Sequence, residues 1–489
     1  MSKTTITKSL ITQGNRCTKA LYYSVKKPGL REVLSDERKL LLKKSLEVKK
    51  IGRDLFPNGV VVPRSNSDFQ HAAKLTMDLI SQGIETIYDA VFIYDDFAVT
   101  VDILVKEDEG WVAYEIKNSV RVNPSYIKEL RLTYWVLTKS LPVISDIKIL
   151  TINAKYIFEE NLNLKEFFDV TSVIAQIRFK TMDYVERLSQ IKRTLYEDSL
   201  PNVAVGQHCF SPFECEFIEN CFGKLQEDSI LKLSGLPMEI RLQNLKNGIN
   251  LIGQLEAGHE YPTQLRNRIY ASQHKSVVLD QEKINSYLSK IKFPALLFDM
   301  EFLNSTVPIL QDTHPFEQIP FAFTAFLVKD NFEIIQQKVF VAQPTQKIEL
   351  ELIDELLEFV SACESIVIFD KGMETAWLKR LKRKKKFSTF LTLWNKPIID
   401  LYDPVRKGYF YHYEMHGKYS IKQIHKAIFK TDLYGGKLVM SGLMASYYYQ
   451  SLFSELDETI VKETIESLKD YSRSDVEALY DFMLYLYKL

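Results

Sequence analysis

The chain has 489 residues, with 63 Lys plus Arg balanced by 63 Asp plus Glu, 46% apolar and 26% charged residues, and five cysteines. At about 150 residues per domain this length implies more than one hydrophobic core. The composition excludes collagen-like, disordered and disulfide-scaffold classes, and the neutral balance excludes a broadly basic nucleic-acid binder while leaving room for a local basic groove. The opening MSKTTITKSLITQGNRC has no apolar stretch long enough for a signal peptide. No run approaches the roughly 18 apolar residues of a membrane helix, so the expectation is a cytoplasmic protein without a membrane partner.

In chain order, KLLLKKSLEVKKIGRDLF over 39–56 predicts an amphipathic helix that stops before Pro57-Asn58-Gly59, and 68–82 predicts a second. Strands follow at 84–94, 97–105 and 111–117, then a helix at 125–139, a strand at 146–152 and a helical stretch at 167–196. This order suggests a mixed sheet with flanking helices. In FAVTVDILV (97–105), Val99, Val101, Ile103 and Val105 share one face and Asp102 takes the other. In the next strand Val112, Tyr114 and Ile116 share a face, leaving Glu115 and Lys117 opposite. Asp102, Glu115 and Lys117 can therefore project together, with Glu47 on the preceding helix as a fourth group. Paired carboxylates suit Mg2+ or Mn2+, and a neighbouring ammonium can orient a nucleophile and offset phosphate charge.

Cys209, Cys215 and Cys221 follow at even five-residue gaps, and Cys17 lies far upstream. In a reducing compartment such clustering points to metal or iron-sulfur ligation rather than disulfides. A set of Cys17 plus the trio suits either a [4Fe-4S] cluster or structural zinc, and would clasp the beginning of the domain to its end. Cys363, alone in SACESIVIF, belongs to a core.

The acids and the cysteines together resemble the PD-(D/E)XK nuclease superfamily, specifically RecB-type domains with an iron-sulfur clasp. Those domains place one cysteine before the nuclease core and three after it. The resemblance covers residues 1–225. It implies Glu47, Asp102, Glu115 and Lys117 as catalytic groups, Asp102 and Glu115 as metal ligands, and Cys17, Cys209, Cys215 and Cys221 as cluster ligands. Two departures stand out. The trailing cysteines are spaced C-x5-C-x5-C instead of C-x2-C-x5-C, and Thr133-Tyr134 stands where the family's helix carries a Gln-type contact.

Residues 226–290 are polar and predict a helical connector. From 291 a third segment opens with the strand ALLFDMEF (295–302), where Asp299 and Glu301 share a face with Leu297 while Phe298, Met300 and Phe302 take the other. Strands at 320–328 and 332–341, a helix at 347–361, a strand at 365–370, a helix at 372–385, a segment at 396–402 and a hairpin-like 408–414 precede a helical C-terminal part. Two carboxylates in an otherwise apolar strand are costly unless a cation answers them. Asp370 ends one strand, Glu374 lies in the next helical turn, Asp400 lies near another strand end, and Tyr471 and Asp475 are four apart, able to share a face at a helix start.

These elements resemble the ribonuclease-H-like 3′–5′ exonucleases of the DEDD type, Tyr variant, over 291–489. The resemblance implies Asp299, Glu301, Glu374 and Asp475 as ligands of two Mg2+ or Mn2+ ions about 4 Å apart, with Tyr471 positioning the attacking water. Glu374 stands where the family has Asp; Asp370 is the fallback ligand and Asp400 a support or an alternative ligand. Just beyond lies a run of cations, Lys379, Arg380, Lys382, Arg383, Lys384, Lys385 and Lys386. They are candidates for backbone phosphates, with Trp377 and Phe387 available to stack bases. The SKT-type opening with its cysteine, LFDMEF and HPFEQIPF (314–321) together resemble a bacterial family that joins these two domain types. The expectation is an α/β protein with a PD-(D/E)XK restriction-endonuclease-like domain and a ribonuclease-H-like domain joined by a helical connector. It would be a metal-dependent nuclease acting on nucleic acid, DNA before RNA; the alternative is a nucleic-acid-binding scaffold with one or both sites degenerate.

Overall fold

The computed structural model describes residues 5–63, 68–178, 181–211, 213–383 and 385–489. The fold is mixed α/β. The chain divides into two compact units, Met1–Lys224 with Thr306–Phe316, and Leu225–Ser305 with Glu317–Leu489. Among the described residues no helix is long and apolar enough to cross a membrane.

The first unit is built on a sheet in the order Val60–Val61, Thr86–Tyr94, Phe97–Glu107, Gly110–Ile116, Ile144–Ile152, Phe168–Ser172, with Ile6–Thr7 pairing beside Phe97–Ala98. Three central strands form an antiparallel meander. Ile144–Ile152 then joins Gly110–Ile116 in parallel, which requires a crossover, supplied by the helix Pro124–Ser140. The predicted helix at 39–56 runs Asp36–Arg53, begun by the Ser35 side chain accepting from Arg38 N, with Asp36 and Glu37 in its first turn. Gly52 lets this helix lie close on the sheet, since a Cβ there would sit 2.5 Å from Ile116 Cδ1. The stretch 167–196 is not one helix. Phe168–Ser172 pairs antiparallel with Ile144–Ile152 before the helix Thr181–Tyr196, because edge pairing satisfies backbone groups that a helix start there would leave open.

Alternation along 97–105 also breaks. Val99 and Val101 pack in one core with Val136 and Ile149, whereas Ile103 packs in the other with Val48, Tyr114 and Ile116. Pairing with Gly110–Ile116 stops at Ile103, and the Asp102 carboxylate takes the Ile116 N–H at 2.8 Å in place of a strand partner.

The second unit holds a five-stranded sheet in the order Ile334–Val341, Gln318–Val328, Ala295–Asn304, Ser365–Ile368, Ile398–Asp400. The first three strands are antiparallel, and the last two run parallel to Ala295–Asn304. Leu296, Phe298, Met300 and Phe302 enter one core, and Ala295 and Leu297 enter the other. Cys363 is buried, as expected. Residues 226–290 belong to this unit: Val277–Leu279 pairs with Phe410–His412, and Ile284, Tyr287 and Leu288 pack in its core. The 408–414 stretch accordingly pairs with that distant strand instead of folding on itself. The final helix, Glu458–Lys488, is 31 residues long and capped by Asp457. Its Val476, Leu479, Phe482 and Met483 share the core of Leu297. Tyr471 and Asp475 therefore lie inside the helix, not at its start.

Candidate metal centres

In the first unit Asp102 and Glu115 are buried and lysine-bound. Lys49 Nζ lies 2.6 Å from Asp102 Oδ1. Glu115 receives Lys8 at 2.9 Å and Lys117 at 3.1 Å, and Lys117 also reaches Glu129 at 3.1 Å. Burial opposes ionisation of Glu115, but Lys8, Lys117 and Lys49 outweigh it and hold the carboxyl below its ordinary range. Burial and the neighbouring Glu115 push Asp102 up, against the pull of Lys49 and Lys8. Glu47 is exposed and lines the same cleft of about 870 Å³, as do Lys8, Lys49 and Arg53. The structure thus brings Glu47, Asp102, Glu115 and Lys117 to one place, with ammonium groups already against both buried carboxylates. On the crossover helix, Tyr126 and Glu129 face Lys117; Thr133 is buried with its Oγ1 unpartnered, and Arg178 lies over Tyr134.

The four cysteines of this unit line one small cavity together with Ala20, His208, Phe217 and Ile218. Cys17 caps the helix Thr18–Lys26, its Sγ accepting from Ala20 N. Burial pushes the Cys209, Cys215 and Cys221 thiols up, and proximity to Cys17 adds to this in each. Arg16 ties the two ends of the set, donating to His208 O and Phe213 O.

In the second unit the acids meet with little compensation. Asp299, Glu301 and Asp475 each offer a donor atom within 4.8 Å of the others. Asp299 and Glu301 come from alternate positions of the central strand, and Asp475 from the last helix. Burial pushes Asp299 and Glu301 well above the carboxylate range, and Asp475 adds repulsion to both. Burial also raises Asp475, opposed by Lys422 and by bonds from Tyr434 and Tyr471. Tyr434 donates to Asp475 Oδ1 at 2.6 Å. Tyr471 accepts from Lys422 Nζ at 2.9 Å.

Glu374 is 5% exposed with Oε2 unpartnered. It stands within electrostatic reach of Asp299 and Glu301 but outside the converged trio. Burial pushes it up to about 7, and Asp370 and Asp400 add to this. Asp370 is exposed and left-handed, with φ 63°. Asp400 serves as a support, its carboxylate accepting the N–H groups of Asp370, Lys371 and Tyr402 at 2.8, 3.3 and 3.0 Å.

The basic run divides. Lys379, Lys382, Arg383, Lys385 and Lys386 are exposed, and Lys379 and Lys382 line a cleft of about 550 Å³ with Lys396 and Asn395. Arg380 is withdrawn from it, ion-paired with Glu317 at 3.3 Å and with Glu349. Lys384 lies outside the described residues. Trp377 and Phe387 cannot stack bases: they are 1% and 3% exposed, packed with Phe298 and Trp394, because a helix on this sheet must bury its aromatic stripe.

Four contributors escape a reading of the sequence: Lys8 and Lys49 in the first centre, and Lys422 and Tyr434 in the second. Lys49 lies two positions after Glu47, the nearest thing to a signal. No curated protein matches the chain. Residues 296–420, which carry Asp299, Glu301 and Glu374, match the model of a domain of unknown function, DUF2779.

Proposed function

We propose that the chain is a metal-dependent nuclease that hydrolyses DNA phosphodiesters, exonucleolytically, at the centre of the second unit, in DNA processing, repair or defence. The observation that carries this reading is the convergence of Asp299, Glu301 and Asp475 within 4.8 Å. One buried and two half-buried carboxylates with so little counter-charge are costly, and a divalent cation is the ligand that offsets the cost. The unpartnered Glu374 Oε2 offers a further oxygen for the same purpose. Sheet order, with the acid strand central and two parallel strands added beside it, agrees with a ribonuclease-H-like fold.

Bound Mg2+ or Mn2+ would polarise the phosphodiester and acidify water. Asp299, Glu301 and Asp475 would hold the ion, while Tyr471, anchored by Lys422 and Asp475, would hydrogen-bond the attacking water. The exposed lysines at 379–386 carry the backbone of the strand. On the first unit, the PD-(D/E)XK reading is supported by the meeting of Glu47, Asp102, Glu115 and Lys117. Its four cysteines, which line one cavity, support the reading of a [4Fe-4S] cluster, with zinc as the alternative.

Lysines against both carboxylates of the first centre favour a second reading for that unit: a nucleic-acid-binding scaffold whose own site is degenerate. Degradation of end-labelled DNA with Mn2+ tests both. Asp299→Ala should lower the rate by about 100-fold or more. Glu115→Ala lowers it comparably only if the first site also cuts; an unchanged rate in both variants would overturn the nuclease reading.

A further inference from the structure

Lys422 is set into the second centre with unusual care for a lysine. It follows the Ser420 cap of the helix Ile421–Phe429. Its ammonium lies 4.2 Å from the ring centroid of Tyr434 and 4.3 Å from that of Tyr471. These rings stand 6.3 Å apart at 63°. Two donors are spent, on Met440 O at 3.0 Å and on Tyr471 Oη at 2.9 Å. Both sandwiching tyrosines also bond Asp475. The charge of Lys422 is felt at Asp299, Glu301 and Asp475 alike.

An ammonium can only donate. The bond from Lys422 therefore makes Tyr471 Oη an acceptor on that side and directs its own hydrogen toward the acids. Without this partner only the bond to Asp475 would set the direction of the Tyr471 hydroxyl. The same ammonium, too far from the acids to form an ion pair with them, lowers their repulsion without filling the seat between them. This contrasts with the first centre, where Lys8 and Lys49 lie directly on the carboxylates.

We propose that Lys422 is a positioning residue for the hydrolysis assigned to the second unit, acting through Tyr471: it fixes the direction of the hydroxyl that holds the attacking water, and its charge limits how tightly the acids hold the divalent ion. The proposal rests on the nuclease reading and makes a separate claim about metal affinity.

The test uses the full chain with Lys422→Met, Lys422→Arg, Tyr471→Phe and the Lys422→Met/Tyr471→Phe pair. Turnover on an end-labelled oligonucleotide is measured alongside Mn2+ binding followed by electron paramagnetic resonance. Lys422→Met should lower kcat by about 10- to 100-fold with KM within about twofold, and Lys422→Arg should recover part of the loss. The double variant should be no slower than Tyr471→Phe alone. Mn2+ should bind Lys422→Met several-fold more tightly than wild type. Unchanged kcat, a loss confined to KM, multiplying losses in the double variant, or weaker Mn2+ binding would each overturn the proposal. Should the wild type cleave nothing, the nuclease reading falls, and the Mn2+ comparison still decides whether the Lys422 charge faces the seat.

Discussion

Lys49 Nζ and Asp102 Oδ1 lie 2.6 Å apart, and Asp102 is only 6% exposed. Lys49 pulls this buried carboxylate toward its anion against burial and Glu115, and deleting the lysine leaves the charge without that partner. Lys49→Met should destabilise the first unit by about 1–3 kcal/mol at neutral pH. The loss should shrink on acidification, as Asp102 becomes protonated. Chemical denaturation of wild type and variant at two pH values checks this; an equal loss at both would mean the ion pair is not its source.

The second centre predicts a pH dependence of opposite character. Glu374 is pushed up to about 7, and Asp299, Glu301 and Asp475 are raised too. Folded pKa values above the unfolded ones mean that the native state binds more protons, so the contribution of these acids to stability is full below about pH 4 and is lost as pH rises, for Glu374 through about 7. Thermal melts in chelator should show Tm falling over this window. Mg2+ should restore it, more at pH 8 than at pH 5, and Asp299→Ala should erase the Mg2+ effect.

Much of this is legible in the sequence, and the limits have identifiable causes. The D-x-E strand is readable because period-two alternation in ALLFDMEF puts both acids on one face, and the same alternation locates Asp102 and Glu115. It misleads at Val99 and Val101, since the strand changes partners at Asp102, an event set by tertiary pairing. The lysines at both centres are invisible because Lys8, Lys49 and Lys422 sit in ordinary polar contexts, and which carboxylate each meets depends on long-range packing. Proximity to a charge run suggests Trp377 and Phe387 as base-stacking groups, but packing of their segment against the sheet turns both into the core.

For the cysteine set, anaerobically purified protein should be brown and contain about four irons per chain. Cys17→Ala should lose both colour and iron. Zinc in place of iron would remove the cluster assignment.

The exposed cations give a nucleic-acid test. Reversing Lys379, Lys382 and Arg383 to Glu should weaken DNA binding and flatten the plot of log affinity against log salt by about 1 for each phosphate no longer neutralised. Arg380→Glu should instead lower Tm, because it breaks pairs with Glu317 and Glu349. Equal effects of the two on DNA binding would show that burial does not separate their roles.

Thr306–Phe316 counts with the first unit: Phe158 and Thr313 form a β-bridge, His314 bonds to Tyr156 O, and Val307 and Phe316 pack beside Phe168. The first unit is therefore discontinuous along the chain. On the ribosome, its hydrophobic face beside Tyr156 and Phe168 stays uncovered until residue 316 has emerged, after the strand bearing Asp299 and Glu301 has already been made. A single proteolytic cut near residue 225 would not yield two whole folding units, because the Thr306–Phe316 piece of the earlier one is encoded inside the later.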